Sequence, residues 1–457
     1  MDRREFLERG ALLGASALAG LGCDSAQVSA SRRPNVVLIL ADDLGYGDVG
    51  SYGCDDIRTE AIDALAEQGV RFTHFYANAP ECTPTRTALL TGRYQHRVGG
   101  LECALGIGNV GRYDDAIRLR QTHDLGLPAE ETTIARMLKE AGYATACVGK
   151  WHLGYERKFF PDRHGFDYSF GPIGGSADYF HHIEYTGENA LYENGKPVKR
   201  HGYMTDLISD EAVRFVRRNR GRPFFLYVAY TAPHTPYQGP GDAGKEPVAE
   251  ADYNLGDRRT YRAMVESMDA GVGRIVAVLE ECGMIDNTLV IFASDNGANN
   301  KGRNAPFSGF KGGLFEGGIR VPCVVRFDGR IKAGTVCDQP AMTMDLSRSI
   351  VRLAGVRPAA DRLFDGMDIL DHVENERVTR GRNLFWRARR GERTWKAVRS
   401  GDLKYICRQD GQRIVEYLFD LASDSAEKHN VLADRRQEAV QLKDLLAVWE
   451  VHVQHHR

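Results

Sequence analysis

Four short runs in this chain are almost wholly apolar and stop abruptly at polar residues: N-V-V-L-I-L-A at 35–41, Y-A-T-A-C-V at 143–148, P-F-F-L-Y-V-A at 223–229 and T-L-V-I-F-A at 288–293. Runs without a polar face suit strands buried on both sides, which belong to the middle of parallel sheets. Between them lie amphipathic segments of helical period at 59–68, 131–141, 205–218 and 258–282, three of them followed by glycine at 69, 142 and 283. A second strand is expected at 72–77. Strand and helix thus alternate from about 35 to 331, which predicts an α/β fold: a large, mixed, mostly parallel sheet sandwiched by helices. Beyond about 356 the pattern changes to short alternating strands at 394–398, 403–408 and 414–417 and a closing helix at 437–449. These read as a smaller C-terminal antiparallel sheet plus helix. The expected division is a body at 34–356 and a subdomain at 357–457.

Open α/β sheets bind ligands beyond the carboxyl ends of their strands. Asp42 and Asp43 follow the first run, Lys150 and His152 the second, His234 the third, and Asp295 and Asn296 the fourth. Either acidic pair alone is ordinary turn or cap chemistry. Two such pairs, each closing an apolar strand, make an all-oxygen set suited to a hard cation, calcium or magnesium.

The stretch Glu81-Cys82-Thr83-Pro84-Thr85-Arg86-Thr87-Ala88-Leu89-Leu90-Thr91-Gly92-Arg93 opens a short helix over 85–90, with Pro84 suited to its first turn. Cys82 is then expected just outside a helix start, where backbone donors and the dipole favour an anion. Taken alone it is a thiol with a lowered pKa. Arg86, one turn on, reaches the same place with a forked pair of donors.

The run C-T-P-T-R followed by L-L-T-G-R resembles the signature of the type I, formylglycine-dependent sulfatases, of arylsulfatase and N-acetylgalactosamine-6-sulfatase type, in the alkaline-phosphatase-like superfamily. Three more elements match in the family's order: G-K-W-H-L-G at 149–154, A-P-H-T-P at 232–236, and the stretch from Lys311 through Glu316 and Arg320 to Pro322. Thr85 stands where the family more often has serine. The C-terminal part also resembles the sulfatase small domain.

The resemblance implies that Cys82 is oxidised to formylglycine (3-oxoalanine) by a formylglycine-generating enzyme. One hydroxyl of its hydrate is then a nucleophile and a ligand of Ca2+ (less readily Mg2+), together with Asp42, Asp43, Asp295 and Asn296. It implies Lys150, His234 and Lys311 on the sulfate, Asp295 as base and His152 as acceptor of the second hydroxyl's proton. His234 with Lys311 would serve the departing oxygen, and Arg86 would anchor the hydrate. A hydrated aldehyde can expel sulfate by collapsing to the carbonyl, an exit closed to serine. Glu316 and Arg320 are expected to be structural. Three aspartates and a divalent cation leave one negative charge, and three basic side chains outweigh it. A singly charged sulfate ester therefore meets a net positive pocket, with charge pairs worth roughly 4 kcal/mol at an effective dielectric near 20.

Irregular segments at 97–127 and 159–199 are expected to wall the pocket. Asp178, His181 and His182, beside Tyr179 and Phe180, are candidate sugar contacts, an ordinary loop with aromatic anchors being the alternative. Substrates implied are a sulfated glycan or a small sulfate ester. The rivals are a phosphodiesterase or phosphonate monoester hydrolase of the same superfamily, and a non-catalytic exported sulfoglycan binder whose Cys82 stays unconverted.

Residues 1–30 read as a leader: Arg3 and Arg4 precede Phe6-Leu7 and a weak apolar run at 11–22 too short for a membrane span. It resembles a twin-arginine export signal with a cleavage site at Val28-Ser29-Ala30, so the twin-arginine machinery is an expected partner and the periplasm or exterior the destination. A lipid anchor at Cys23 is the alternative, weakened by the poor lipobox Gly20-Leu21-Gly22; a cytosolic N-terminus is the third reading. A formal net charge of −2 from 60 basic and 62 acidic side chains gives no footprint for nucleic acid. Nine cysteines without a C-x-x-C pair argue against zinc; Cys54, Cys103, Cys147, Cys282, Cys323, Cys337 and Cys407 read as small buried hydrophobes or at most one or two disulfides. The terminal His452, His455 and His456 read as a solvated helix end.

Overall fold

The computed structural model describes residues 33–106, 114–360 and 362–454; the leader and the last two histidines lie outside them. The chain runs β1 (Asn35–Ala41), α1 (Glu60–Glu67), β2 (Val70–Phe72), β3 (Phe75–Tyr76), α2 (Cys82–Thr91), α3 (Asp114–Gln121), α4 (Ile134–Glu140) and β4 (Ala144–Gly149). It continues through β5 (Tyr168–Pro172), β6 (Leu191–Glu193), β7 (Lys196–Pro197), α5 (Met204–Arg218), β8 (Phe224–Ala229), α6 (Arg258–Glu281) and β9 (Thr288–Ser294). Then follow α7 (Glu316–Ile319), β10 (Cys323–Arg326), β11 (Thr335–Cys337), β12 (Ala341–Met342), α8 (Thr343–Leu353) and α9 (Ile369–Glu374). The C-terminal part is β13 (Asn383–Arg390), β14 (Arg393–Ser400), β15 (Leu403–Asp410), β16 (Arg413–Asp420) and α10 (Arg436–His452).

Among the described residues ten strands form the central sheet, in the order β11-β2-β10-β9-β1-β8-β4-β5-β6-β7. Its core, β9-β1-β8-β4-β5, is parallel, and β10, β6 and β7 add antiparallel pairings on the flanks. Alternate side chains of β1 enter two different cores, as period-2 geometry requires. Val36, Leu38 and Leu40 pack with Leu89, Leu90, Leu138 and Leu346 of α2, α4 and α8. Val37, Ile39 and Ala41 pack with Ile62, Ile208, Met264 and Met268 of α1, α5 and α6. The fold is thus the expected helix-sandwiched mixed sheet.

The structure departs from expectation where strands are short. The strand expected at 72–77 is two pieces in different sheets, β2 beside β10 and β3 beside β12. The segment at 159–199 is not all loop: β5 extends the parallel core, with Ala146 opposite Tyr168 and Val148 opposite Phe170. Within 97–127, α3 forms one helix. The C-terminal sheet has four strands, not three, because β13, with its charged N-L-F-W-R-A-R-R sequence, pairs along its whole length with β14.

That small sheet packs Trp386, Ala397 and Ile406 with Leu442, Leu446 and Trp449 of α10, and against Tyr76, Ala88, Leu314 and Ile319 of the body. A buried charge cluster crosses the seam. Lys404 Nζ donates to Glu316 Oε1 at 2.7 Å and Glu427 Oε1 at 2.9 Å, and Tyr76 donates to Glu316 Oε2 at 2.7 Å. The Lys404, Glu316 and Glu427 side chains are fully buried. Glu316 is therefore structural, as expected. Removing one partner of a buried pair leaves an uncompensated charge. Lys404→Met should lower unfolding free energy by about 3–5 kcal/mol in equilibrium denaturation. Arg217→Ala, which breaks a pair with Glu281 whose side chains are 60% and 59% exposed, should change it by less than about 0.5 kcal/mol. Equal effects would refute the role given to the cluster.

Candidate functional site

The parallel register brings four strand ends level. Leu40 lies opposite Ala229, Ala41 opposite Ser294, and Gly149 opposite Ala229. Backbone bonding then continues past the strands: Tyr230 N donates to Leu40 O (2.9 Å), Asp295 N to Ala41 O (3.1 Å), Asp42 N to Ala232 O (3.1 Å) and Lys150 N to Ala229 O (2.7 Å). Gly149 makes the last approach feasible: its φ is +111°, and a Cβ there would sit 1.9 Å from Ala229 O. The polar residues named from the sequence are carried into one place by this lacing.

Cys82 is the first residue of α2, after N-cap Glu81, so the helix starts three residues earlier than expected and the cysteine is inside its first turn. It is fully buried, with Sγ 3.3 Å from Asp42 Oδ1 and 3.6 Å from Lys311 Nζ. Burial, then Asp295 and Asp42, push its thiol well above the ordinary range. The lowered pKa expected of a helix-start thiol is therefore corrected: two neighbouring carboxylates and lost solvation outweigh the dipole. Thr85 serves as serine would, its hydroxyl donating to Ala79 O (2.9 Å) and accepting from Ala79 N (3.2 Å). Arg86, fully buried, donates to Asp295 Oδ2 from Nε (3.0 Å) and Nη2 (2.8 Å) and to Lys150 O from Nη1 (3.1 Å).

Ligand atoms of Asp42, Asp43, Cys82 and His234 all lie within 4.8 Å of one another. Asn296 adjoins them, with Nδ2 donating to Asp43 Oδ1 at 2.7 Å while its Oδ1 is buried without a hydrogen-bond partner. Asp295 adjoins through Oδ1, which accepts from Asp43 N at 3.2 Å. An orphaned amide oxygen beside three buried carboxylates fits a hard divalent cation. His234 is the addition the sequence reading did not make to this group. Lys150 Nζ lies 2.5 Å from Asp42 Oδ2 and Lys311 Nζ 2.9 Å from Asp43 Oδ2. Burial opposes ionisation of Asp43, yet Lys311 and His234 hold it below the usual range; burial and Asp42 raise Asp295.

Burial disfavours the charged form of both histidines. His234 Nδ1 donates to Thr235 O (2.7 Å), so the bare Nε2 faces Asp43 Oδ2 at 3.8 Å, and burial with Lys311 lowers its pKa to about 3. His152 Nε2 donates to Leu105 O (2.6 Å), leaving Nδ1 buried without a partner; burial and Lys150 push its pKa far down.

The site opens into a cleft of about 1190 Å³. Both irregular segments do line it, through Leu105 and Gly106 on one side and Gly175, Ser176 and Tyr185 on another. The candidate sugar contacts do not. Asp178 Oδ1 accepts from Phe180 N, His181 N and His181 Nδ1 at 2.7–3.0 Å, and Oδ2 from Gln238 Nε2 and Val248 N at 3.0 and 3.1 Å. Its acceptor capacity is spent on its own loop and on Gln238 and Val248, 60 and 70 residues further along the chain. His181 is turned to Asp178, and buried His182 donates to Gly202 O at 3.1 Å. None of the three lines the cleft. Arg390, Arg393, Trp395 and Arg408 of the C-terminal sheet do line it, and no motif in the sequence announced them.

A family profile described as Sulfatase matches residues 34–356, and one described as N-sulphoglucosamine sulphohydrolase, C-terminal, matches 310–452. The steryl-sulfatase of Mus musculus is 34% identical over 461 residues, covering 80% of this chain and 71% of that protein. The N-acetylgalactosamine-6-sulfatase of Canis lupus familiaris is 35% identical over 407 residues, covering 84% and 73%. The crystal structure of Ps i-CgsB in complex with k-i-k-neocarrahexaose superposes with a TM-score of 0.80 at 32% identity, covering 93% of this chain and 94% of that one. With such likeness over most of the chain, the fold is the alkaline-phosphatase-like one, and the chain belongs to the sulfatase family, as a sulfuric ester hydrolase.

Proposed function

We propose that this sulfatase removes sulfate from a sulfated carbohydrate, using formylglycine made from Cys82 and a calcium ion. The observation that carries the reading is the meeting of Cys82 Sγ with Asp42 at 3.3 Å and Lys311 at 3.6 Å, at the laced strand ends. The carbohydrate part draws on the relatives that act on N-acetylgalactosamine 6-sulfate and on the structure with a bound neocarrahexaose. In this reading the body at 34–356 carries the site and the subdomain at 357–457 part of its rim, the second profile match, over 310–452, overlapping both.

Asp42, Asp43, Asp295 and Asn296 would hold the cation together with the residue at 82. Calcium would supply positive charge there, and formylglycine a hydrated aldehyde as nucleophile toward sulfur. The chain's own residues do the rest. Lys150 and Lys311 bind sulfate oxygens as charged donors, and Arg86 holds Asp295 and the start of β4's exit in place. Asp295 takes the proton from the attacking hydroxyl. His152 takes the second at Nδ1, the nitrogen left bare by the bond to Leu105. His234 and Lys311 stabilise the departing oxygen. Residues 1–30 direct the matured, folded protein out through the twin-arginine route. No helix among the described residues is long and apolar enough to cross a membrane.

Intact mass of the peptide containing Cys82, from protein co-expressed with a formylglycine-generating enzyme, should be that of the aldehyde; an unmodified thiol would favour the non-catalytic binder. Cys82→Ala should lower turnover of 4-nitrophenyl sulfate on the order of 10³-fold or more, with the melting temperature moved by no more than about 4 °C. Retained turnover would remove Cys82 from the chemistry.

Removal of divalent cations by chelation should abolish turnover, and added Ca2+ should restore it better than Mg2+. Full activity in chelator ends the metal assignment. A panel of 4-nitrophenyl sulfate, 4-nitrophenyl phosphate, N-acetylgalactosamine 6-sulfate, sulfated carrageenan oligosaccharides and a steryl sulfate reads the substrate. Faster phosphate than sulfate hydrolysis would move the reading to phosphoryl chemistry.

A further inference from the structure

One residue of the cleft wall has no part in the chemistry above and no evident structural partner. Glu184, on the segment joining β5 to β6, is 6% exposed and lines the cleft. The other buried glutamates among the described residues each meet a cation: Glu81 with Arg390, Glu102 with Arg387, Glu211 with Arg214, and Glu316 and Glu427 with Lys404. The Glu184 side chain meets none and, among the described residues, accepts no hydrogen bond. Burial raises its carboxyl to about 7, with Lys150 opposing. A carboxylate largely withdrawn from water and facing the cleft without a partner weakens the fold, so its use lies elsewhere.

Two adjacent glycines place it in the neighbourhood of His152. A Cβ on Gly174 would fall 1.6 Å from Glu184 Oε1, and a Cβ on Gly175 would fall 2.6 Å from His152 Nε2. The carboxylate and the site histidine thus lean on neighbouring residues whose Cα atoms are about 3.8 Å apart. Tyr155 stands beside them, its hydroxyl accepting from Gly175 N at 3.4 Å, and lines the cleft with Tyr185.

We propose that Glu184 is a substrate-binding and specificity residue, whose carboxylate accepts hydrogen bonds from hydroxyl or amide N–H donors on the sugar ring that bears the scissile sulfate. A carboxylate has acceptors only, so it satisfies such donors and repels a second sulfate presented at the same place. Glu184 therefore selects a ring that is unsulfated on that side. The inference rests on the carbohydrate reading of the previous subsection.

Glu184→Gln keeps the shape and removes the charge, and Gly174→Ala displaces the carboxylate without altering it. Both are assayed as full-length matured enzyme at about pH 8, above the Glu184 pKa of about 7. The substrates are N-acetylgalactosamine 6-sulfate, N-acetylgalactosamine 4,6-disulfate and 4-nitrophenyl sulfate. For each variant, kcat/KM on the monosulfated sugar should fall about tenfold or more, mostly through KM. In Glu184→Gln the preference for mono- over disulfated sugar should shrink by about tenfold. Turnover of 4-nitrophenyl sulfate, which offers no ring hydroxyls, should stay within about twofold. Equal losses on sugar and aryl sulfate would mean a structural role and overturn the proposal, as would unchanged sugar kinetics. Wild-type turnover of the aryl sulfate with none of either sugar would instead overturn the carbohydrate reading for this ring, and the assignment with it.

Discussion

A single buried guanidinium ties the site together. Arg86 leaves the second turn of α2 and reaches Asp295 after β9, the carbonyl of Lys150 after β4 and, at 3.7 Å, Asp42 after β1. Three strand ends and the helix that starts with Cys82 are thus held by one rigid, permanently charged group. Burying it costs solvation, so it is tolerable only with every donor direction answered by an acceptor. Its charge also enters the local balance. Arg86, Lys150 and Lys311 match Asp42, Asp43 and Asp295 one for one, so any divalent cation in the carboxylate group leaves the pocket positive toward an anionic ester.

Two residues at this junction adopt backbone conformations that L side chains rarely take. Asp43 has φ +64° and His152 φ +58°. Each follows a strand end by two or three residues, where the chain must leave the sheet sharply and still present a side chain to the site. The surroundings over-determine both. Asp43 N bonds Asp295, and its carboxylate meets Asn296 and Lys311. His152 N bonds Ile173 O at 3.0 Å, while its carbonyl accepts from Thr83. Local conformational cost at a site, borne by the network around it, fits a geometry selected for chemistry rather than stability.

The sheet core and the site were legible in the sequence because both rest on strong, local signals. An apolar run of strand length followed at once by Asp-Asp, Lys-Trp-His or Asp-Asn can hardly be misread once several occur in one α/β chain. The weak elements were of another kind. β2 and β3 are three and two residues long, and β5 contains Gly171 and Pro172, so neither shows a period. Asp178 and His181 stand outside the cleft lining because a sequence does not tell which backbone and side-chain donors will consume a carboxylate's acceptors. Glu184, three residues beyond His181, carries no signal beyond its identity. Its meaning comes from what is missing around it, which only packed side chains reveal.

The C-terminal sheet is no appendage: it contacts the start of the helix that begins with Cys82. Glu81, the N-cap residue immediately before Cys82, is buried and accepts from Arg390 of β13 at 2.8 and 2.6 Å and from Ala104 N at 2.6 Å. Without Arg390 that buried carboxylate, which also tethers Ala104 of the cleft wall, would sit uncompensated. On the other side, Lys404 of β15 neutralises Glu316, which lies five residues after Lys311. The same small sheet therefore steadies the residue before Cys82 and the loop that carries Lys311, while Trp395 and Arg408, stacked with 5.3 Å between guanidinium and ring centre, close the cleft above them. Positioning of Cys82 and shaping of the cleft rim are consequently one structural problem in this chain, solved by residues far apart in sequence.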